Sequence, residues 1–329
     1  MDGKRKKLTF ALLNNTPVLL FAFLFIVFGF VAPQSLRYQN IENVFKQASY
    51  VGIIAVGMTF VLLTGGIDLS VGSNMYVSAV VAGLAMQRYS IGPWPALFLC
   101  LMVGAMFGAV NAFAVAKLKI IPFVVTLAMM VTGRGIGLMF SKSHAVSFPD
   151  SVTGLGSADL FGLIPYPIVL FAMVVFCAWI LLERTTLGRQ IYAVGFNKEA
   201  ARKAGINTDR ALITAYILCG VFASLGGFIS VAQLGNVNAG FGKGDEFDAI
   251  AAAVLGGVSL FGGVGKVFPG VVLGAVFIQT VSNSLVSARV DLYLHPLIAA
   301  GFIFFAVFID SLRSTYLAKL SRRNIRVEE

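Results

Sequence analysis

The chain has 329 residues, of which 58% are hydrophobic and only 12% charged, and its mean hydropathy is +0.86. Soluble domains carry roughly a quarter charged residues, so this composition excludes an ordinary soluble enzyme and a disordered chain and points to a polytopic membrane protein. The 25 Lys and Arg exceed the 15 Asp and Glu by ten, an excess that in such a protein marks cytoplasmic loops rather than nucleic-acid binding.

A spanning helix needs about 20 mostly apolar residues. Runs free of Asp, Glu, Lys and Arg occupy 8–36, 47–67, 69–87, 89–116, 120–133, 160–182, 211–242, 249–265, 267–288 and 292–309, giving ten candidates. The first follows Lys4, Arg5, Lys6 and Lys7 and is too long for a signal-peptide core, so it reads as an uncleaved first helix. Run 120–133 is short and continues through Arg134 to about Phe140, whereas 249–265 is glycine-rich and irregular at its end. With the Lys4–Lys7 cluster in the cytoplasm, 17 of the 25 basic residues fall on the inner side. The sequence thus predicts an all-α membrane protein of about ten helices with both termini cytoplasmic. It is one membrane domain over 1–329, with a basic N-terminal segment 1–10, a cytoplasmic loop 183–210 and a cytoplasmic tail 311–329. Segments 141–160 and 235–248 are outer loops.

Spans two and three are parted by a single charge, Asp68, in Gly65-Gly66-Ile67-Asp68-Leu69-Ser70-Val71-Gly72, followed by Ser73 and Asn74. An acid at membrane depth is a functional candidate by default, and freed backbone there needs protein or water around it. A tight cytoplasmic turn is the favoured reading for Asp68 itself. Gly65 and Gly66 permit the bend, and Asp68 or Ser70 caps the next helix. A related segment, Gly256-Gly257-Val258-Ser259-Leu260-Phe261-Gly262-Gly263, occurs 191 residues later. Glycine-interrupted segments at corresponding places in two halves point to a transporter core with a weak internal repeat. Thr64, Asn74, Asn111, Thr126 and Gln233 are polar residues in or beside the spans. Each lines a path or makes a helix–helix hydrogen bond, and the second is favoured for any single one.

No apparatus for chemistry is evident. Gly265-Lys266 fails the phosphate-loop pattern twice, with Leu260 and Val267 at the deciding positions. His144 and His295 are too few for a catalytic or metal set, and Cys100, Cys177 and Cys219 have no ligand spacing. There is no regular ladder of intramembrane carboxylates for a proton path. Energy for transport therefore comes from outside the chain. The segment suited to receive it is Asn197-Lys198-Glu199-Ala200-Ala201-Arg202-Lys203-Ala204-Gly205-Ile206. It reads as a short helix with Asn197 as N-cap and Gly205 as stop. Ala200, Ala201 and Ala204 make a small-residue face; Lys198, Arg202 and Lys203 make a charged one. Such a helix docks in a partner's groove or lies on anionic lipid.

Several stretches carry a resemblance. Val51–Ser73 (VGIIAVGMTFVLLTGGIDLSVGS), Ile121–Gly135, Arg184–Ile206 and Phe247–Ala275 resemble, in order, the permease subunits of bacterial ABC sugar importers of the ribose, xylose and autoinducer-2 class. The resemblance implies an inner-membrane permease subunit for a monosaccharide or similar polyhydroxylated solute, with no ATPase site or cofactor of its own. It implies a cytoplasmic ATPase with two fused nucleotide-binding halves that binds ATP and Mg, a periplasmic sugar-binding protein, and a second permease copy or paralogue. Asn197–Ile206 would be the coupling helix. Two rivals stand beside it: an autonomous secondary transporter driven by an ion gradient, and an intramembrane enzyme or structural subunit.

Overall fold

The computed structural model describes residues 33–291 continuously, with isolated positions beyond them. Runs 8–36 and 292–309 lie largely outside the described residues, and segments 1–10 and 311–329 wholly so.

Among the described residues, six helices are long and apolar enough to cross a membrane. They are α1 (Tyr38–Leu63), α3 (Pro93–Ala112, carried on by a π-helical turn Phe113–Lys117), α4 (Pro122–Ser141), α6 (Tyr166–Arg184), α9 (Thr208–Leu234) and α11 (Val272–Ser287, after the π-helical turn Val267–Val271). Proline at the first or second position opens α3, α4 and α6, where its missing N–H is not needed. A further long helix, α2 (Val71–Tyr89), is wrapped by protein along most of its length, and Ser73, Asn74 and Ser78 lower its hydropathy. It packs among α3, α4 and α9, while α1 lies against α9 and α11.

The helices depart from the charge-free runs at their ends. α1 starts at Tyr38, well before position 47, because Glu42 and Lys46 pair across one turn at 2.6 Å. α9 begins at Thr208, with Asn207 Oδ1 accepting from the Arg210 N–H at 3.0 Å, and stops at Gly235 in the left-handed region (φ 77°) rather than at 242. The largest correction concerns run 249–265. Only α10 (Asp245–Leu255, 11 residues) is helical there, too short to span, and glycines at 256 and 257 end it. Its helix begins upstream, where Asp245, Glu246 and Asp248 suit the positive end of the helix dipole.

Glycine sets the tightest packing. A Cβ on Gly104 would sit 2.5 Å from the Gly220 carbonyl, and one on Gly108 would clash with the Tyr216 carbonyl. α3 and α9 therefore meet backbone to backbone through Gly104, Gly108 and Gly220, the small-residue approach expected between membrane helices. The opposite face of α3 presents Phe98, Met102, Met106, Val110 and Phe113 outward at one-turn spacing, the face that lipid would cover.

The two predicted outer loops are knitted together. β1 (Val146–Ser147) pairs antiparallel with β4 (Asn236–Val237), Val146 opposite Val237. Between them in sequence lie α5 (Asp150–Ser157) and a short hairpin of β2 (Asp159–Leu160) and β3 (Ile164–Pro165). Segments 141–160 and 235–248 are thus one continuous surface, and 141–160 is more ordered than its turn-forming composition suggests.

Candidate functional site

The two glycine breaks share a backbone construction. At the first, α1 ends with the N–H groups of Gly65 and Gly66 bonded back to Leu62 and Val61; at the second, α10 ends with those of Gly257 and Val258 bonded back to Val254 and Ala253. Gly65 (φ 78°) and Gly257 (φ 88°) occupy the left-handed position of this helix stop. By this geometry Gly65 corresponds to Gly257, one residue off the register read from sequence, with Gly256 the preceding cap. Beyond the stop the sequence register returns. Asp68 Oδ1 accepts from the Ser70 N–H at 2.9 Å, and Ser259 Oγ accepts from the Phe261 N–H at 3.1 Å.

The side chains around the first break are closely hydrogen-bonded, with Asn111 Oδ1 among them buried without a partner among the described residues. Asp68 is only 2% exposed and also accepts from the Ser70 hydroxyl at 2.6 Å. Asn111 on α3 donates to Ser70 Oγ at 2.8 Å and to Asp68 Oδ2 at 3.3 Å. Thr126 on α4 donates to the Ile67 carbonyl at 3.2 Å. Asp68 therefore ties the break rather than capping α2, and Ser70, at the N-cap position, makes no side-chain cap bond. Further along α2, Ser73 bonds back to the Ser70 carbonyl at 2.8 Å, and Asn74 donates to the Gly220 carbonyl at 3.0 Å. Gly72 faces the loop at Gly242 so closely that no Cβ would fit. Thr64 bonds within α1, to Val61, and Gln233 joins α9 to the Lys46 carbonyl at 2.9 Å. All five polar candidates of the spans are thus engaged in protein hydrogen bonds.

The breaks meet each other at the predicted coupling segment. The Gly263 N–H donates to the Leu63 carbonyl at 2.9 Å. A Cβ on Gly195 would clash with that same carbonyl, and one on Gly262 would lie 2.8 Å from both Gly195 O and Gly65 N. Tyr192 Oη donates to the Gly265 carbonyl at 2.8 Å. Gly195 and Tyr192 belong to α7 (Thr186–Phe196), a helix sequence reasoning missed. Its signal was Thr185, whose hydroxyl accepts from the Gly188 N–H at 3.2 Å.

The segment predicted to couple follows at once. α8 (Lys198–Lys203) is capped by Asn197, whose Oδ1 accepts from Ala200 N–H at 2.9 Å. It stops at Gly205 (φ 81°), with the Ile206 N–H bonded to the Ala201 carbonyl at 3.0 Å. Of the three face alanines, Ala201 is buried while Ala200 and Ala204 stay exposed, as do Lys198, Glu199, Arg202 and Lys203. A groove of about 450 Å³ runs between α7 and α8, lined by Tyr192, Phe196, Ala200, Ala204, Ile206 and Gly263 among others. Phe196 (81% exposed) stands at its edge, and Phe261 (92% exposed) projects from the adjoining break. The same end of the bundle is basic. Lys117 and Lys119 pair with Asp209 at 3.1 and 3.5 Å. Partial desolvation against the neighbouring surface, then the nearby Lys119 charge, holds the largely exposed Lys198 below the usual lysine range against the pull of Asp209.

Sequence reasoning also missed Arg134 on α4 and Glu246 on α10, placing the second in an outer loop. Glu246 is buried and its Oε2 lies against Gly72. Neither run boundaries nor spacing reveal this, because the loop after β4 folds back into the bundle.

Comparison with known proteins bears on what this arrangement does. Residues 40–311 match the family described as branched-chain amino acid transport system / permease component. The chain is 36% identical over 320 residues to the ribose import permease protein of Escherichia coli K12, covering 94% of this chain and 98% of that protein. It is 35% identical over 298 residues to the D-allose transport system permease protein of the same organism, covering 90% of each. It is 33% identical over 333 residues to the galactose/methyl galactoside import permease protein of Salmonella typhimurium, covering 94% and 97%. No solved structure matches the chain.

Proposed function

The chain belongs to the family of branched-chain amino acid transport system permease components, and from that premise we propose that it is the membrane-spanning permease subunit of an ATP-driven sugar importer in a bacterial inner membrane. The observation that carries the proposal is the convergence of both glycine breaks on Gly195 and Phe196, directly beside the α7–α8 groove. A displacement of α8 is passed through rigid backbone contacts, not side chains, to the ends of α1 and α10. The near-equal identities to ribose, allose and galactose permeases support a monosaccharide or related polyhydroxylated solute without singling one out. The saturated state of Asp68 favours this over a gradient-driven transporter, which needs an acid free to exchange a proton or ion.

The finer arrangement follows the sequence. The basic N-terminal cluster in the cytoplasm, followed through the first six runs, places Lys117, Lys119 and α8 on the inner face. A cytoplasmic ATPase with two fused halves, binding ATP and Mg, docks on Asn197–Ile206, Phe196 and Phe261. A periplasmic binding protein delivers sugar to the joined surface of 141–160 and 235–248. A second permease copy or paralogue completes the cavity. The test is recovery of the subunit from native membranes in mild detergent, with mass spectrometry of its partners. A two-domain ATPase is expected, and Ala201→Glu, which puts a charge on the buried side of α8, is expected to lose it. Recovery of the chain alone, under conditions that keep control importers intact, would overturn the proposal.

A further inference from the structure

Arg134 on α4 and Glu246 at the start of α10 are charged side chains that belong to neither the breaks nor the coupling face. Their depth follows from packing. Asn74 lies beside Gly104 and Gly220, and those glycines stand near the middles of Pro93–Lys117 and Thr208–Leu234. A Cβ on Gly133 would meet Ser73 Oγ at 2.7 Å, so α4 passes the same level there and Arg134 follows at once. Gly72, one residue before Ser73, faces the Gly242 carbonyl and Glu246 Oε2 too closely for any Cβ. The two charges therefore sit near the midplane of the bundle.

A charge at that depth is costly unless something uses it. Glu246 is 6% exposed, and its Oε1 accepts from the Gly244 N–H at 3.3 Å. Its Oε2 has no hydrogen-bond partner, the only fully buried carboxylate oxygen of the described residues in that condition. Arg134 donates through Nη1 to the Phe241 carbonyl and lies 5.4 Å over the Tyr76 ring. It is within Coulombic reach of Glu246 and Asp245 yet joins none of the ion pairs of the described residues. A guanidinium has five N–H donors, so most of its capacity is uncommitted. An acceptor-only carboxylate and a donor-only guanidinium that lie beside the same Phe241–Gly242 backbone without forming an ion pair complement neighbouring hydroxyl groups, each of which both donates and accepts.

We propose that Arg134 and Glu246 form a midplane site that binds the hydroxyl groups of the transported solute, Glu246 Oε2 accepting from one and Arg134 donating to its neighbour. This rests on the sugar-permease reading and deepens it: the path holds the solute at one charged station, and the Gly72–Gly242 contact brings the carboxylate up to α2. Replacing either group leaves the other charge without its ligand partner at depth.

The test uses the whole importer in liposomes: permease, ATPase and binding protein, with labelled ribose, allose and galactose as probes. Glu246→Gln and Arg134→Gln are each expected to lower uptake at least about tenfold, the loss of one or two charged hydrogen bonds, while ATPase and binding protein still co-purify. Thr132→Val, on an exposed position of the same helix, is expected to leave uptake unchanged. Glu246→Cys, in the same complex, is expected to react with a small charged thiol reagent and to be protected by the transported sugar. Unchanged uptake in both glutamine variants would overturn the site, and so would labelling that sugar does not slow or a cysteine that never reacts. Failure of the wild-type complex to take up any of the three sugars with ATP would instead overturn the sugar-permease reading on which the site rests.

Discussion

The first and second glycine breaks have nearly the same backbone and opposite side chains. Both stop a helix with a left-handed glycine and then turn on a side-chain oxygen two residues before the bonded N–H. The first is filled with Asp68, Ser70, Asn111 and Thr126 and is sealed, with Asp68 2% exposed. The second carries Leu260 and Phe261 and is open, with Phe261 92% exposed. The difference teaches that the glycines build the joint and the neighbouring side chains decide its task. Polar groups fix one break inside the bundle, whereas apolar groups leave the other exposed.

That comparison is open to attack at several points. Gly195 joins the two breaks, so Gly195→Val should have the largest effect. Overpacking against Leu63 and Gly263 backbone is expected to cost about 3 kcal/mol, read as a lower unfolding temperature in detergent and loss of the ATPase on purification. Asn111→Leu removes a partner of the sealed break, leaves Asp68 and Ser70 short of a donor, and should cost about 2 kcal/mol by the same measurement. Asp68→Asn keeps an acceptor for the Ser70 N–H and should cost about 1 kcal/mol while ATP-driven uptake persists. Abolished uptake at unchanged stability would make Asp68 a transport group and return the gradient-driven reading. Phe261→Ala should change stability by less than about 0.5 kcal/mol, as exposed substitutions do, yet weaken ATPase retention in a salt-insensitive way. Unaltered retention would break the assignment of the open break to docking.

Much of the architecture is legible in the sequence because membrane solvent imposes a coarse rule: backbone satisfied within long apolar helices. Run 120–133 extends through Arg134, and α8 carries the cap and stop read at Asn197 and Gly205. Helix ends are less legible. Glu42–Lys46 and Asp209 show that charged residues join a helix once an ion pair or a cap serves them, so charge-free runs underestimate it. Run 249–265 shows the reverse error, since apolar content without helix-permitting backbone gives a short helix and a loop. Of the candidate site, the short helix α8 is local and its cap and stop are therefore readable. The meeting of both breaks at Gly195 is not, because it depends on contacts between segments far apart in sequence, Leu63 and Gly263 against Gly195. Arg134 and Glu246 are invisible for the same reason. A charge in a loop and a charge folded back to mid-depth look alike in one dimension.

The most direct measurement is sugar uptake by liposomes holding the purified permease, compared in two settings. With ATPase, loaded binding protein and ATP present, uptake is expected, and it should vanish when ATP or the ATPase is omitted, whatever ion gradient is imposed. Uptake by the permease alone, driven by a proton or sodium gradient, would contradict the account.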